Sequence, residues 1–161
     1  MDPADIRDQV ETNLIAPMLL TQQLLPTLRE SDAAAIVNVS SSIGLIGQAF
    51  YSAYAASKSG MSHFTETLRQ ELIGSNIHVM CVYAAPDNEH VIDEDKESRN
   101  SNGAPEKVAR DLMTGLENDQ DNVCSGDSRL ARLLAINQNN ISAAERCIDV
   151  HQASLQRDTP R

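Results

Sequence analysis

Ala33-Ala34-Ala35-Ile36-Val37-Asn38-Val39-Ser40-Ser41-Ser42-Ile43-Gly44, together with residues 45–85, is the stretch that decides the fold. Ile36–Ser40 is short, β-branched and bounded by small and turn-forming residues. Its apolar run is continuous rather than alternating, which predicts a strand covered on both faces, as in a parallel sheet. Ser41–Gly47 is a small-residue loop. A long helix is predicted from about Tyr51 to Ile73, with Met61, Phe64, Leu68 and Leu72 on one stripe and Gly74 as its C-cap. Ile77–Ala85 is a second strand of the same buried type. Two such strands joined by a helical crossover make a βαβ unit, so the class is α/β with a parallel sheet.

Upstream, Asp2-Pro3 starts a helix, an N-cap acceptor followed by Pro at the first helical position. Apolar residues recur from Ile6 to Leu28 on a stripe that widens in its second half, predicting burial on more than one side. Pro17 and Pro26 lie inside this pattern and are expected to kink it or end it early. Downstream, residues 86–104 turn polar and acidic (Asp93-Glu94-Asp95-Lys96-Glu97) and read as a mobile loop. A helix over Pro105–Glu117, a weak strand at Asn122–Cys124 and helical stretches at Leu130–Ile136 and Ile141–Leu155 complete a single domain over residues 1–155. Residues 156–161 read as a frayed tail. No repeat is present, and no Gly-rich turn comes after a first strand, although a doubly wound nucleotide fold places one there.

Composition narrows the function classes. The chain has 161 residues, 41% of them hydrophobic and 22% charged, so one domain with a real core is expected. A net charge of −10 repels phosphate backbones and argues against nucleic acid or an anionic membrane as partner. Cys81, Cys124 and Cys147 have no metal-site or disulfide-framework spacing, and the N-terminus lacks a signal-peptide pattern. No run is long enough to span a membrane. A cytoplasmic chain without a metal is the expectation.

The chemistry centres on Tyr54 and Lys58, four apart and therefore on one helix face. An ammonium beside a phenol favours the phenolate, which makes Tyr54 a candidate general acid/base. Ser41 ends the first strand 13 residues before Tyr54, with the small-residue loop between them. Two hydroxyls so placed would hold a carbonyl oxygen between them. Ser41 is in no G-x-S-x-G elbow, which argues against a hydrolase nucleophile. His63 and Glu66 share a helix face and read as a surface pair, and His78 reads as a packed residue. Asn38-Val39-Ser40 fits a glycosylation sequon but lies in a buried strand.

Asn38-Val39-Ser40-Ser41-Ser42-Ile43-Gly44, Tyr54-Ala55-Ala56-Ser57-Lys58-Ser59-Gly60 and Leu68-Arg69-Gln70-Glu71-Leu72 together resemble the short-chain dehydrogenase/reductase family. Asn13-Leu14-Ile15-Ala16-Pro17 is similar to the family's Asn segment ahead of the serine strand. The resemblance runs from Asn13 to about Glu117 and matches only the C-terminal half of the family's domain. It implies a partial Rossmann-like sheet lacking the N-terminal Gly-rich strand–turn–helix that cradles a pyrophosphate. It also implies an NAD- or NADP-dependent oxidoreductase interconverting an alcohol and a carbonyl of a small molecule. Under it Ser41 would orient the carbonyl, with Ser40 and Ser42 as competitors that the spacing sets aside. Tyr54 would transfer the proton, and Lys58 would lower the Tyr54 pKa and bind the nicotinamide ribose. Asn13 would hold a water leading to Lys58. Ala85 and Pro86 would shape the cofactor-binding turn, where the family has Pro-Gly and, further on, Thr. Here Ala84, Ala85 and Glu89 stand at those positions, and a carboxylate at Glu89 would disfavour an anionic cofactor. The acidic run Asp93–Glu97 occupies the place of the family's substrate lid. Helices over residues 13–28 and 51–73 would pair two copies as a homo-oligomer. The alternative is an inactive remnant or dimerisation module that binds no cofactor alone.

Overall fold

The computed structural model describes residues 2–84 and 105–125. Ala85, Pro86, Glu89, the expected loop at 86–104, the helical stretches beyond Leu130, the tail at 156–161 and Cys147 lie outside them.

Helix α1 (Pro3–Val10) begins as its sequence dictates. The Asp2 carboxylate accepts from the Ala4 N–H at 2.9 Å, and Pro3 fills a position whose N–H needs no partner. A π turn over Glu11–Ile15 comes next, and α2 (Ala16–Arg29) continues from it. Pro17 therefore does not end the helix. The wider turn, in which the Ala16 N–H reaches back to the Glu11 carbonyl, relieves the crowding a proline ring imposes on the preceding turn. Pro26 also stands inside α2 without stopping it.

Strand β1 (Ala34–Ser41) leads through a 3-10 turn (Ser42–Gly44) to α3 (Ser52–Glu71), and β2 (Ile77–Ala84) returns beside β1. Gly74, at φ 79°, makes the turn between α3 and β2 in a conformation that favours glycine. Then come α4 (Pro105–Glu117) and β3 (Asn122–Ser125), the short strand that the sequence marked only weakly. The sheet order is β1-β2-β3, all parallel, with Ala34 opposite Ile77 and Cys81 opposite Asn122.

Helices cover both faces, the mark of a doubly wound arrangement. On one face Ile36, Ile77 and Val79 pack against Leu68 and Leu72 of α3, with Leu25 and Leu28 of α2 beside them. On the other, Met80, Val82 and Val123 meet Val108, Leu112 and Leu116 of α4. Fully burying a side chain such as Met80 (0% exposed) contributes roughly 1.5–3 kcal/mol.

Two expectations are corrected. β1 is covered unevenly on its two faces: Ile36, Asn38 and Ser40 are buried on one, while on the other Val37 packs half-buried against the α4 side and Ala35 and Val39 are exposed. The reason is position, since β1 is the sheet's edge and α4 packs over β2 and β3. The α1–α2 stripe is not buried on several sides either. Only Thr21 is buried there, and Ile6, Ile15, Met18, Leu19, Leu20 and Leu24 are exposed. Among the described residues no helix is long and apolar enough to cross a membrane.

Candidate active site

The C-terminal end of β1, the first turns of α3 and the π turn meet at one place. Asn13, in the π turn, donates from Nδ2 to Ser57 Oγ at 3.2 Å. The Ser57 hydroxyl, 1% exposed, donates in turn to the Tyr54 carbonyl at 2.8 Å. Asn13 is therefore tied to the helix that carries both Tyr54 and Lys58. The resemblance did not single out Ser57; a small hydroxyl residue inside a helix, free to bond its own preceding turn, was the available signal.

Lys58 is half-buried. Its Nζ donates to the Val39 carbonyl at 3.0 Å and lies over the Tyr54 ring, 5.8 Å from the centroid. Such a cation–π contact is worth about 0.5–1 kcal/mol at exposed sites and more where water is excluded. Burial also pulls the Lys58 amine below its ordinary value of 10.5, because leaving water penalises the charged form.

Three adjacent serines have three different environments. Ser40 is buried, and its hydroxyl reaches the Lys58 carbonyl at 2.9 Å, where Ser62 Oγ also arrives at 3.0 Å. Ser40 thus anchors the end of β1 to α3. Ser41 ends β1, half-buried, and its Oγ accepts from the Ile43 N–H at 3.5 Å, capping the 3-10 turn. Ser42 opens that turn. The turn is pressed so closely onto α3 that a Cβ on Gly44 would lie 2.9 Å from Ser40 Oγ and 3.0 Å from the Lys58 carbonyl. Glycine is required by this approach. The contact sets Ser41 at the mouth of the strand and Tyr54 in the first turn of the facing helix.

Asn13, Lys58, Val39 and Met61 also line a groove of about 660 Å³ that runs between α2 and β1. Ser41 and Tyr54 lie outside its lining. The structure thus joins Asn13 to the Tyr54–Lys58 helix by hydrogen bonds and joins β1 to that helix through Ser40.

The other polar groups are structural. His63 pairs with Glu66 at 3.7 Å on the surface, and His78 Nε2 lies 3.5 Å from Asp121. The Asn38 amide is buried and donates to Thr65 Oγ1 at 3.0 Å. Asp111 accepts from the buried Ser125 hydroxyl at 2.7 Å and pairs with Lys107, tying α4 to β3; the Ser125 bond chiefly holds its carboxyl below the ordinary 3.8. Burial pushes the Cys81 thiol up, and that of Cys124 to about 11. Among the described residues no three His, Cys, Asp or Glu side chains gather as metal ligands.

Comparison with known proteins bears on this arrangement. A family model described as short chain dehydrogenase matches residues 1–96. The ketoacyl reductase HetN of Nostoc sp. is 46% identical over 80 residues, which is 48% of this chain and 28% of that protein. A bovine 3-oxoacyl-[acyl-carrier-protein] reductase is 37% identical over 78 residues, 33% of its own length. The chain spans about a third of the length of these curated relatives. A short chain dehydrogenase from Escherichia coli, solved with NADPH, matches at TM-score 0.51 and 38% identity over 53% of this chain and 35% of its own. An alcohol dehydrogenase from Comamonas testosteroni specific for bulky-bulky ketones shares the fold, at TM-score 0.71 and 19% identity. That match covers 90% of this chain and 55% of the other.

Proposed function

The chain belongs to the short-chain dehydrogenase family, and on that premise we propose that its site interconverts an alcohol and a carbonyl with NAD or NADP, Tyr54 acting as general acid/base. The observation that supports this best is the Lys58 amine over the Tyr54 ring, at the end of a parallel sheet. The amine stands beside the ring whose hydroxyl this reading makes the proton carrier. Ser41, at the strand mouth, donates to the substrate carbonyl and orients it. Asn13 holds α3 through Ser57 and, with Lys58, lines the groove by which a proton leaves for water.

The residues present fit one end of a nicotinamide dinucleotide. The Lys58 amine and the Tyr54 hydroxyl would hold the ribose next to the nicotinamide, and Ala85 and Pro86, outside the described residues, are its further proposed contacts. When bound, that group supplies or receives the hydride. The bound NADPH of the Escherichia coli relative favours a nicotinamide cofactor. The substrate is a small molecule, and the chain acts in the cytoplasm.

Tyr54→Phe tests the assignment. Carbonyl reduction should fall by ~10²–10⁴-fold with folding retained, because the ring stays and only the proton donor is lost. Ser41→Ala should lose activity comparably, and Ser42→Ala much less. Activity within about tenfold of the parent for Tyr54→Phe would remove Tyr54 from the mechanism.

A second reading is that the chain works as a dimerisation module without turnover. The exposed apolar face of α1 and α2 favours it, since a patch of that kind marks an interaction surface. Helices over 13–28 and 51–73 of two copies would then pack together. Sedimentation separates a monomer from that assembly.

A further inference from the structure

Lys58 is held by its backbone as well as by its side chain. Its carbonyl accepts from Ser40 Oγ at 2.9 Å, and Ser62 Oγ reaches the same carbonyl at 3.0 Å. The two hydroxyls lie 2.9 Å from each other. These bonds differ in what they join. Ser62 stands four residues further along α3, so its bond is the ordinary back-bond of a helical serine and fixes nothing outside the helix. Ser40 belongs to β1, so its bond ties strand to helix.

The surroundings of the tie are dry. Ser40 is 2% exposed, and Tyr83 stands opposite it in the sheet. Burial pushes the Tyr83 hydroxyl and the Cys81 thiol up, so both stay protonated at neutral pH. In such a place a hydroxyl–carbonyl bond is stronger than in water, and leaving it unmade is costly. Gly44 closes the third side, its missing Cβ making room for both Ser40 Oγ and the Lys58 carbonyl.

We propose that Ser40 is a positioning residue: through the Lys58 carbonyl it sets the first turns of α3 against the end of β1, and so sets Tyr54 and Lys58 against Ser41. The inference deepens the alcohol–carbonyl reading and rests on it for its catalytic consequence. Ser41 is fixed relative to Ser40 because the two are adjacent in β1. Tyr54 and Lys58 are fixed relative to the Lys58 carbonyl because they share one helix, the amine 5.8 Å from the ring centroid. The Ser40 bond joins these two bodies at the turn that carries Lys58. A second tie, from Asn38 to Thr65, lies about two turns further along α3 and controls this end less. A misplacement of about 1 Å at a reacting centre costs of order 10²-fold in rate, so the tie has a functional consequence.

The test follows the titration of the Lys58 amine by NMR in the full chain, for the parent, Ser40→Ala and Ser62→Ala. Burial holds that amine below its ordinary 10.5. Without the Ser40 bond the first turns of α3 lift from β1 and water reaches the amine, so in Ser40→Ala its titration should rise toward 10.5. Ser62→Ala removes a hydroxyl from the same carbonyl but no tie between elements, and should leave the titration unchanged. Should Ser40→Ala fail to fold, Ser40→Cys keeps the volume and donates only weakly, and the same rise is expected. In carbonyl reduction the Ser40 variant should lose about tenfold or more in kcat with KM kept within about twofold. The titration needs neither cofactor nor substrate, so it decides on Ser40 even where Tyr54→Phe defeats the alcohol–carbonyl reading. An unchanged Lys58 titration in the Ser40 variant overturns the proposal. So does an equal rise in Ser62→Ala, or a Ser40 variant that raises KM and keeps kcat.

Discussion

β1 and β2 are both eight residues long, both apolar, and paired along their whole length. Three residues of β1 are buried and six of β2. The difference lies in what stands beside each strand. β2 has β1 and β3 at its edges, α3 beneath and α4 above. Among the described residues β1 has one strand neighbour and lacks the cover of α4 over Val39, which is 47% exposed. A continuous apolar run therefore records the surroundings a strand is suited to, and the described elements around β1 supply only part of them.

The contrast can be broken most sharply by truncation. Met80→Ala should cost about 2–5 kcal/mol, by removing buried volume that the tight sheet–helix layer cannot refill. Val39→Ala should stay within about 0.5 kcal/mol. Urea unfolding midpoints measure both, and equal losses would mean that the outer face of β1 is as covered as β2.

Glycines sharpen the same comparison. A Cβ at Gly115 would collide with Val123 Cγ2 and approach Met80 Sδ at 3.2 Å, whereas one at Gly47 meets nothing within 4 Å. Gly115→Ala should destabilise by about 1–3 kcal/mol, as overpacking does. Gly47→Ala should be nearly silent. Thermal midpoints decide it, and a silent Gly115→Ala would show that the α4 layer is loose.

Most of this fold is legible in the residues. Asp2-Pro3 starts the first helix, the Met61–Leu72 stripe faces the core, and Asn122–Cys124 does form a strand. The pairing of Tyr54 with Lys58 on one face follows from their spacing alone. Other features were hidden for physical reasons. The π turn at Glu11–Ile15 is a local answer to Pro17 that no apolar period reveals. The exposed sides of β1 and α2 depend on neighbours, which a single strand or helix pattern does not encode. Ser57 and Ser40 look like any small polar residues until the backbone brings Asn13 and the Lys58 carbonyl to them.

The smallest effect expected is electrostatic. Asp111 is held below its ordinary 3.8, first by the Ser125 hydroxyl. A carboxyl lowered in the folded state stabilises above its unfolded value, and that stability is lost as pH falls through the folded value. Asp111→Ala should therefore be less stable than the parent at neutral pH, with the gap closing below 3.8. A gap independent of pH would mean that the tie between α4 and β3 owes nothing to charge.

The proposed presentation of Tyr54 and Lys58 by α3 to a nicotinamide cofactor is read most directly by a fluorescence titration with NADPH and NADH. A rise in nicotinamide fluorescence is expected that saturates no higher than the millimolar range and weakens in Lys58→Met. No change at millimolar concentrations of either cofactor would contradict it.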